Sequence, residues 1–529
     1  MANTVEVSKQ KELFGHPVGL YILFLTEMWE RFSFYGMKAL LIFYLVKYHL
    51  FSDTSGNLVV GSYAALVYAM PVLGGYLADK FLGFRKAVTF GGILLVLGHL
   101  GMAFEGNAAT QMASGEIVRD EKALQVFFYS LSLIIMGVGF LKANISSIVG
   151  ELYRKGDERR DSGFTIFYMG INLGSAMATI ICSWLGETYG WSYGFGAAGI
   201  GMLLGLATFI GGKKYFYGRG ESKNPEALSK KSFMGLSTEK TIYVLAVIGT
   251  LVVWQMVQSH TVVEILLMAA GLISLIYIIW YAATKCSKKE RDRLIALTVL
   301  ILFSVIFWSL FEQAYTSMNL FADRAMERNT SSFGEISAGA FLSLNAIFII
   351  LLAPVFAWLW IKLSKYNLNP NAAVKFGLGI VLAGFGFGAL VLGLDASGSA
   401  KVGMMWLVLT YFLHTCGELC LSPVGLSYVT KLSPAKIVGF MMGVWFLATA
   451  GSEYIAALLS NIASIDTSAG KVEDLELAKA SYRNLFSKMF YTGLIFGVIL
   501  LALSPILKKM MHGVDSDTGE DDIVMEEKH

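Results

Sequence analysis

Long apolar runs recur from one end of the chain to the other, and this recurrence limits the possible folds more than any other feature of the sequence. Most runs reach the length of about 20 residues that a helix needs to cross the hydrocarbon core of a bilayer. Charged residues make up 15% of the 529 positions, whereas soluble domains carry about a quarter. A soluble domain with 55% hydrophobic residues would aggregate, and a disordered chain has the opposite composition. The sequence therefore predicts an all-α integral membrane protein.

The apolar runs predict fourteen transmembrane helices in groups of six, two and six. The predicted spans are 17–50, 57–78, 86–105, 124–149, 163–184, 191–212, then 241–259 and 262–284, then 294–323, 335–363, 372–394, 402–430, 437–461 and 484–507. This grouping predicts an N-terminal segment 1–16, a six-helix bundle 17–212, a linker 213–293 with two extra helices, a second six-helix bundle 294–508 and an acidic tail 509–529.

Lysine and arginine are concentrated in alternate loops, which gives the predicted orientation. One set of loops carries the clusters Lys80 to Lys86, Arg154 to Arg160, Lys213 to Lys240, Lys285 to Arg293, Lys362 to Lys365, Lys431 to Lys436 and Lys508 to Lys509. The opposite loops are acidic or mixed. Because basic loops stay in the cytoplasm, we expect a multi-pass protein of the cell membrane with both termini cytoplasmic.

A weak internal repeat relates the two groups of six helices. Residues 69–88 and 352–376 each follow the second span of their group, and each runs from a Pro-Val pair through apolar residues into a basic loop. Repeated halves place a substrate site near the bilayer midplane, at the interface between them. The middle pair of helices breaks this symmetry and is interpreted as an insertion.

The first span carries the polar stretch EMWERFSFYGMK over 27–38. Each charge at the centre of a membrane helix costs about 2.5–3.5 kcal/mol on insertion scales, so these residues need a compensating environment. Glu27, Glu30, Arg31, Tyr35 and Lys38 fall within one sector of about 140° on the helix. Such a stripe of both signs lines a water-filled pathway, or it forms a structural salt bridge between helices. We favour the functional interpretation.

Other spans carry isolated polar groups. Lys142 has no acid in its own span, so its partner must come from another helix, a proton or a substrate carboxylate. Glu312 and Glu418 lie in the second group of helices, and Asn172 and Asn345 are near mid-span. A lone buried asparagine serves equally well as a hydrogen-bonding contact between helices. The convergence of acids, bases and amides from both groups favours a common site.

This inventory has a chemical meaning. Bases in the first group suit a carboxylate, whereas Glu418 in the second suits an ammonium, so a zwitterion would bridge the two. The aromatic residues Tyr35, Tyr68, Trp308 and Trp445 would supply apolar walls that tolerate different side chains. A carboxylate in a low dielectric holds its proton more readily, so Glu27, Glu30 or Glu312 would load and release protons. The sequence predicts a proton-coupled carrier for a small zwitterion.

Several motifs resemble those of the proton-dependent oligopeptide transporters, a family of the major facilitator superfamily. They are the E-x-x-E-R of Glu27, Glu30 and Arg31, the loop GGYLADKFLGFRK over 74–86, FYMGINLGS over 167–175, FWSLFEQ over 307–313 and GELCLSPVGLS over 417–427. The resemblance covers nearly the whole chain. It implies the major facilitator fold of two six-helix bundles, with two inserted helices as in bacterial di- and tripeptide permeases.

The resemblance also implies roles for individual residues. The proton-coupling group would be Glu27, Glu30 and Arg31, with Lys142 as their ionic partner and Glu312 as another protonatable site. The peptide carboxylate would meet Arg31, Lys38 and Lys142, and its amino end would meet Asn172, Asn345 and Glu418. Side-chain pockets would be lined by Tyr35, Tyr68, Trp308 and Trp445, and the loop motif of Asp79, Arg85 and Lys86 would serve gating.

Some positions depart from the family pattern. Phe34 stands where tyrosine is common, and Lys38 stands where arginine is frequent, so a bidentate carboxylate clamp is lost there. The second span has no histidine, so coupling is expected to rest on carboxylates. We assign His99 to the core. We assign no role to Glu453.

The expected function is proton-coupled import of di- and tripeptides by alternating access. The alternative is a carrier for another small anion or zwitterion on the same fold. A channel would need rings of similar polar groups, and these charges are asymmetric and of mixed sign. We find no nucleophile–base pair, metal spacing or phosphate loop, so we expect no enzyme activity, cofactor or metal. Besides peptides and protons, membrane lipids are expected partners, nucleic acids are not, and no oligomeric state is predicted.

Overall fold

The computed structural model describes residues 10–154, 156–231, 235–332, 334–467 and 471–514. The predicted acidic tail therefore lies outside the described residues from 515 onward, as do the first nine residues of the N-terminal segment. Almost all of the described chain is helical.

The first group of helices begins with α1 at Val18. Its members are α1 Val18–Phe43, α2 Asp53–Leu77, α3 Phe84–Met102, α4 Glu121–Glu151, α5 Arg159–Tyr189 and α6 Trp191–Gly211. Turns of π-helix extend α1 over Tyr44–Tyr48 and α2 over Ala78–Leu82. The side chain of Ser52 caps α2, and Asp120 caps α4, by accepting hydrogen bonds from first-turn backbone N–H groups.

The linker and the second group follow. The remaining helices are α7 Pro225–Ser229, α8 Thr238–Gln258, α9 His260–Thr284, α10 Lys288–Phe311, α11 Ser317–Arg324, α12 Ser343–Lys365, α13 Ala372–Ala396, α14 Met404–Leu432, α15 Val438–Ser460 and α16 Leu475–Met510. A 3₁₀ turn over Glu312–Tyr315 joins α10 to α11, so the predicted single span is broken in its last third. A capping box at Ser287 and Glu290 starts α10.

Short strands pair within the segments before and between the helices. In the described chain they pair as β1 Glu12–Leu13 with β2 His16–Pro17, β3 Thr110–Gln111 with β4 Ile117–Val118, β5 Met326–Glu327 with β8 Val402–Gly403, and β6 Asn329–Thr330 with β7 Gly334–Glu335. The β5–β8 pair is parallel and the other three are antiparallel.

Thirteen helices within the described ranges are long and apolar enough to cross a membrane. The fourteenth predicted span corresponds to α1, which has 26 residues but carries Glu27, Glu30, Arg31 and Lys38. These four side chains are buried within the protein, so their charges do not meet lipid. The prediction of an all-α integral membrane protein is confirmed.

The helices of the first group pack closely because glycines face each other across their contacts. A Cβ atom on Gly74 of α2 would overlap the carbonyl of Gly139 on α4, and one on Gly91 of α3 would lie 2.6 Å from the Gly137 carbonyl oxygen. Small residues let membrane helices approach at their backbones. Here they bring α2 and α3 onto α4.

The first and second groups of six helices, called here the N half and the C half, meet along two seams. Helix α2 packs against α15, and α5 packs against α12. The inserted helix α9 rests on α15, while α8 packs on α4 of the N half. At the α8–α9 turn, His260 Nδ1 lies 3.1 Å from Ser62 Oγ on α2, and Tyr454 Oη of α15 donates to the His260 carbonyl at 3.2 Å. The inserted hairpin therefore touches both halves.

Candidate functional site

The polar stripe of α1 forms a buried ion cluster at its centre. Arg31 Nε lies 3.0 Å from Glu27 Oε1 and 2.5 Å from Glu30 Oε2. All three side chains are buried, with at most 5% of each side chain exposed. Arg31 Nη2 has no hydrogen-bond partner among the described residues. The guanidinium therefore keeps a free N–H donor beside two carboxylates, and this donor would suit an anion once a carboxylate is protonated.

Glycines on α5 hold this cluster in place. A Cβ atom on Gly174 would overlap the carbonyl oxygen of Met28 on α1, and one on Gly170 would lie 2.9 Å from Phe24. The motif over 167–175 thus lets α5 pack against the backbone of the charged stretch. Between the glycines, Asn172 is buried and donates to the Tyr168 carbonyl oxygen at 3.1 Å.

Lys142 of α4 lies in the same half. Its Nζ is 3.9 Å from the centroid of the Tyr68 ring, a cation–π contact. The recorded ion pairs of Glu27 and Glu30 are made with Arg31, whereas Lys142 acts on both carboxylates through space. The resemblance implied Lys142 as their ionic partner, so in this structure Arg31 takes that position and Lys142 is an electrostatic neighbour.

A second ion cluster joins α1 to the C half. Lys38 Nζ lies 3.0 Å from Glu312 Oε2 and 3.0 Å from Glu453 Oε1. It is also 4.1 Å from the centroid of the Tyr315 ring. The sequence analysis assigned no role to Glu453. Its position as an isolated acid within an apolar span was nevertheless a signal of a functional residue. Lys38, interpreted above as a contact for substrate carboxylate, is paired here with two protein carboxylates.

The amide and acid expected at the amino end of a substrate are adjacent in the C half. Asn345 Nδ2 donates to Glu418 Oε2 at 2.8 Å and to Thr415 Oγ1 at 3.1 Å. Thr415 lies one helical turn before Glu418, on the same face of α14, so the Asn345 amide can donate to both side chains. This pair presents a carboxylate with a fixed orientation.

Aromatic side chains surround these polar groups. Tyr35 stacks on Tyr315 with ring centroids 6.4 Å apart, and Trp308 meets Phe311 edge-on at 5.4 Å. The Trp445 ring of α15 occupies the space that a Cβ atom on Gly425 of α14 would fill. The glycine of the 417–427 motif therefore makes room for an indole. The Tyr35–Tyr315 stack connects the two halves, and the other two contacts lie within the C half.

Tyr35 lies near charged groups of both halves, which include Glu312 as well as Glu418. Tyr35 is within electrostatic range of Arg31 and Lys38, on its own helix, and of Glu418 in the C half.

Besides the Lys38 cluster, several hydrogen bonds and ion pairs join the halves at one end of the molecule, called here the Asp53 end. Asp53 pairs with Arg324, and Lys47 Nζ lies 2.7 Å from Asp323 Oδ1. Nearby, Thr54 Oγ1 donates to Ser464 Oγ at 3.0 Å and Asn57 Nδ2 to Asn461 Oδ1 at 3.0 Å. This end is closed by direct contacts between the halves.

The loop motif lies at the opposite end and contacts the linker. Lys223 Nζ lies 2.6 Å from Asp79 Oδ1, Arg85 Nη1 is 2.7 Å from Glu221 Oε1, and Lys86 Nζ is 2.6 Å from Glu239 Oε2. The motif glycine, Gly83, has a φ of 78° and packs against the backbone of Ser222. The motif thus fastens the segment after α6 to the end of the α2–α3 pair.

The POT family model matches residues 85–475, which is most of the chain. The chain belongs to the POT family. The predicted family and the major facilitator fold class are therefore confirmed, as is the expectation of a transporter rather than an enzyme.

Relatives and a solved structure agree along nearly the whole length. An uncharacterized transporter, YclF, of Bacillus subtilis is 39% identical over 96% of this chain and 97% of its own. A di-/tripeptide transporter of Lactococcus lactis subsp. cremoris is 35% identical over 95% and 98%. A crystal structure of a peptide transporter POT in complex with sulfate has a TM-score of 0.78 and 36% identity, and it covers 95% of this chain and 97% of that one.

Proposed function

We propose that the protein is a proton-coupled symporter that imports di- and tripeptides. The observation that carries this proposal is the pair of buried polar clusters, with Arg31 between Glu27 and Glu30 in the N half and Glu418 hydrogen-bonded to Asn345 in the C half. A short peptide has a carboxylate at one end and an ammonium at the other. Arg31, Lys38 and Lys142 would bind the carboxylate, and Asn172, Asn345 and Glu418 would bind the ammonium.

Apolar walls would allow different peptide side chains. Tyr35, Tyr68, Trp308 and Trp445 provide surface with few directional contacts, so a side chain is accepted by shape more than by hydrogen bonding. The Gly425–Trp445 contact supports a defined wall, because the indole is held against the backbone of α14.

Proton coupling would use the buried carboxylates. Protonation of Glu27 or Glu30 would weaken their ion pairs with Arg31, and the substrate carboxylate would then occupy the freed guanidinium. Glu312 would act in the same way on Lys38. Release of the protons would restore the pairs and expel the peptide.

Alternating access would move the two halves as units about this site. With the basic loops in the cytoplasm, the closed Asp53 end would face outward. Asp79, Arg85 and Lys86 would serve gating by holding the linker on the N half during this movement. The protein would lie in the cell membrane with both termini cytoplasmic.

The test is uptake of a labelled dipeptide into liposomes that contain the purified protein, with and without an inward proton gradient. Concentrative uptake that a protonophore abolishes, and that unlabelled di- and tripeptides inhibit, is the expected result. Absence of peptide uptake by folded protein of verified orientation would contradict it. Uptake of labelled nitrate or an amino acid in that preparation would then support the alternative carrier.

A further inference from the structure

The Lys38 cluster contains one base and two acids. Glu453 Oε1 and Oε2 lie 3.0 and 3.3 Å from Lys38 Nζ, on one side, and Glu312 Oε2 lies 3.0 Å away on the other. Lys38 is 1% exposed and Glu453 5% exposed. One ammonium neutralises only one of two carboxylates, so the cluster has a net charge of −1 when all three groups are ionised.

The groups that face Glu453 do not supply a second direct counter-ion. Tyr63 and Tyr68 face it from α2, Lys38 from α1, Lys142 from α4 and Glu312 from the turn after α10. Lys142 lies against Tyr68, and Arg31 lies between Glu27 and Glu30. An uncompensated buried charge is costly, and addition of one proton to the cluster removes it.

Tyr63 of α2 interacts electrostatically with acids of both ion clusters and is hydrogen-bonded to neither. Its side chain is fully buried, and its hydroxyl has no hydrogen-bond partner among the described residues. The hydroxyl is within electrostatic range of Glu30 in the N half and Glu453 in the C half. A phenol both donates and accepts a hydrogen bond, so it suits a position between two carboxyl groups that exchange protonation states.

We propose that Glu453 is a further proton-carrying residue, whose proton is transported in addition to those of the Glu27 and Glu30 group and of Glu312; this rests on the proposed function. With the Asp53 end open, a hydronium ion gives its proton to the Glu453 carboxylate and leaves as water. Lys38 then pairs with Glu312 alone, and one contact between the halves is lost. With the opposite end open, the carboxylic acid returns the proton to water and the contact with Lys38 forms again.

The experiment measures the number of protons moved with each peptide. Liposomes holding the full-length protein and a tenfold gradient of neutral dialanine are clamped at a series of membrane potentials, at equal pH on both sides. Net peptide flux stops at a potential of about 59 mV for one coupled proton and about 30 mV for two. We expect the count for Glu453→Gln to be one proton below that of the wild type.

Controls separate this inference from the proposed function. Glu264→Gln removes an acid on α9 whose carboxylate lies 3.4 Å from the hydroxyl of Tyr454, the residue next to Glu453, and should keep the wild-type count. If wild type shows no dependence on the membrane potential or the proton gradient, the proposed function fails. If wild type is coupled and Glu453→Gln has the same count, or if Glu264→Gln loses a proton as well, the role of Glu453 is overturned.

A second variant tests the inference if Glu453→Gln does not fold. Glu453→Asp keeps the carboxyl group but withdraws it from Lys38 by one methylene. We expect the wild-type proton count together with a displaced pH for half-maximal uptake, because the contact that competes with protonation is weaker. A pH profile that coincides with that of the wild type would also overturn the inference.

Discussion

Asp53 and Arg324, which belong to opposite halves of the chain, form a buried two-pronged ion pair. Arg324 Nη1 lies 2.6 Å from Asp53 Oδ2, and Nη2 lies 2.7 Å from Oδ1. Asp53 also accepts a hydrogen bond from the Ile465 backbone N–H at 3.0 Å. The planar fork of arginine matches a carboxylate in this geometry, so the pair gives both strength and orientation to the closed end.

Removal of Arg324 should open the Asp53 end. Arg324→Ala leaves Asp53 buried without its partner, which costs about 3–5 kcal/mol in the closed state. Cysteines replacing Thr54 and Ser464, whose hydroxyl oxygens are 3.0 Å apart, report closure by cross-linking. In a background without the native cysteines, we expect several-fold less cross-linking in Arg324→Ala. Arg483→Ala, which breaks an exposed pair with Asp395 within the C half worth at most about 1 kcal/mol, is the control and should leave the yield unchanged. Equal yields in both variants would contradict the assignment.

Glu30→Gln should separate proton coupling from substrate exchange. The amide cannot lose a proton, so the change of charge that would release Arg31 is absent. We expect gradient-driven uptake to fall to background while exchange of labelled for unlabelled dipeptide continues. Glu335→Gln, at an exposed position that pairs with Arg328, should match the wild type in both assays. Wild-type concentrative uptake by Glu30→Gln would rule out this coupling scheme.

Glu418→Gln should weaken recognition of the peptide amino group. A hydrogen bond to a charged partner contributes about 1.5–3 kcal/mol, so the KM for dialanine should rise by roughly ten- to a hundredfold. N-acetylated dialanine has no ammonium and should be affected far less. Competition curves for the two peptides, on wild type and variant, measure this difference. A proportional loss for both peptides would argue against the assigned contact.

Gly425→Ala should displace Trp445. The added methyl group would occupy the space of the indole, and overpacking costs about 1–3 kcal/mol. We expect a larger change in KM for dipeptides with bulky side chains than for dialanine. Gly439→Ala is the matched control, because no atom lies within 4 Å of a Cβ atom built at that glycine of α15. A uniform change across peptides would show that Trp445 does not line a side-chain pocket.

Most of the fold was predictable because membrane-spanning helices can be recognised in a sequence as long apolar runs. Boundaries were less accurate where polar caps extend a helix beyond its apolar part. The last helix was predicted over 484–507, but Asp474 accepts hydrogen bonds from the backbone N–H groups of Glu476 and Leu477 and starts it at Leu475. The 3₁₀ turn over Glu312–Tyr315 that ends α10 was not predicted, because hydropathy does not distinguish a 3₁₀ turn from a turn of α-helix.

The candidate site was predictable as a set of residues but not as a set of pairs. Arg31, Lys38 and Glu312 could be recognised because a charged residue within an apolar span must be buried inside the protein. Which acid pairs with which base depends on how the two halves pack together. Glu453 shows this limit, because its partner lies more than four hundred positions away on α1. The pattern of residues along one helix does not show which partner so far away in the chain it will contact.

The turn between α8 and α9 touches α2 through Ser62 and α15 through Tyr454. Any rocking motion that draws α2 away from α15 must break one of these contacts or carry the turn along with one helix. The linker before α8 is fastened to the N half by the Asp79 loop, so the hairpin cannot swing freely to follow the C half. The inserted pair would thus restrain the separation of α2 from α15 across the seam, and so limit how far the outer end could open in each cycle.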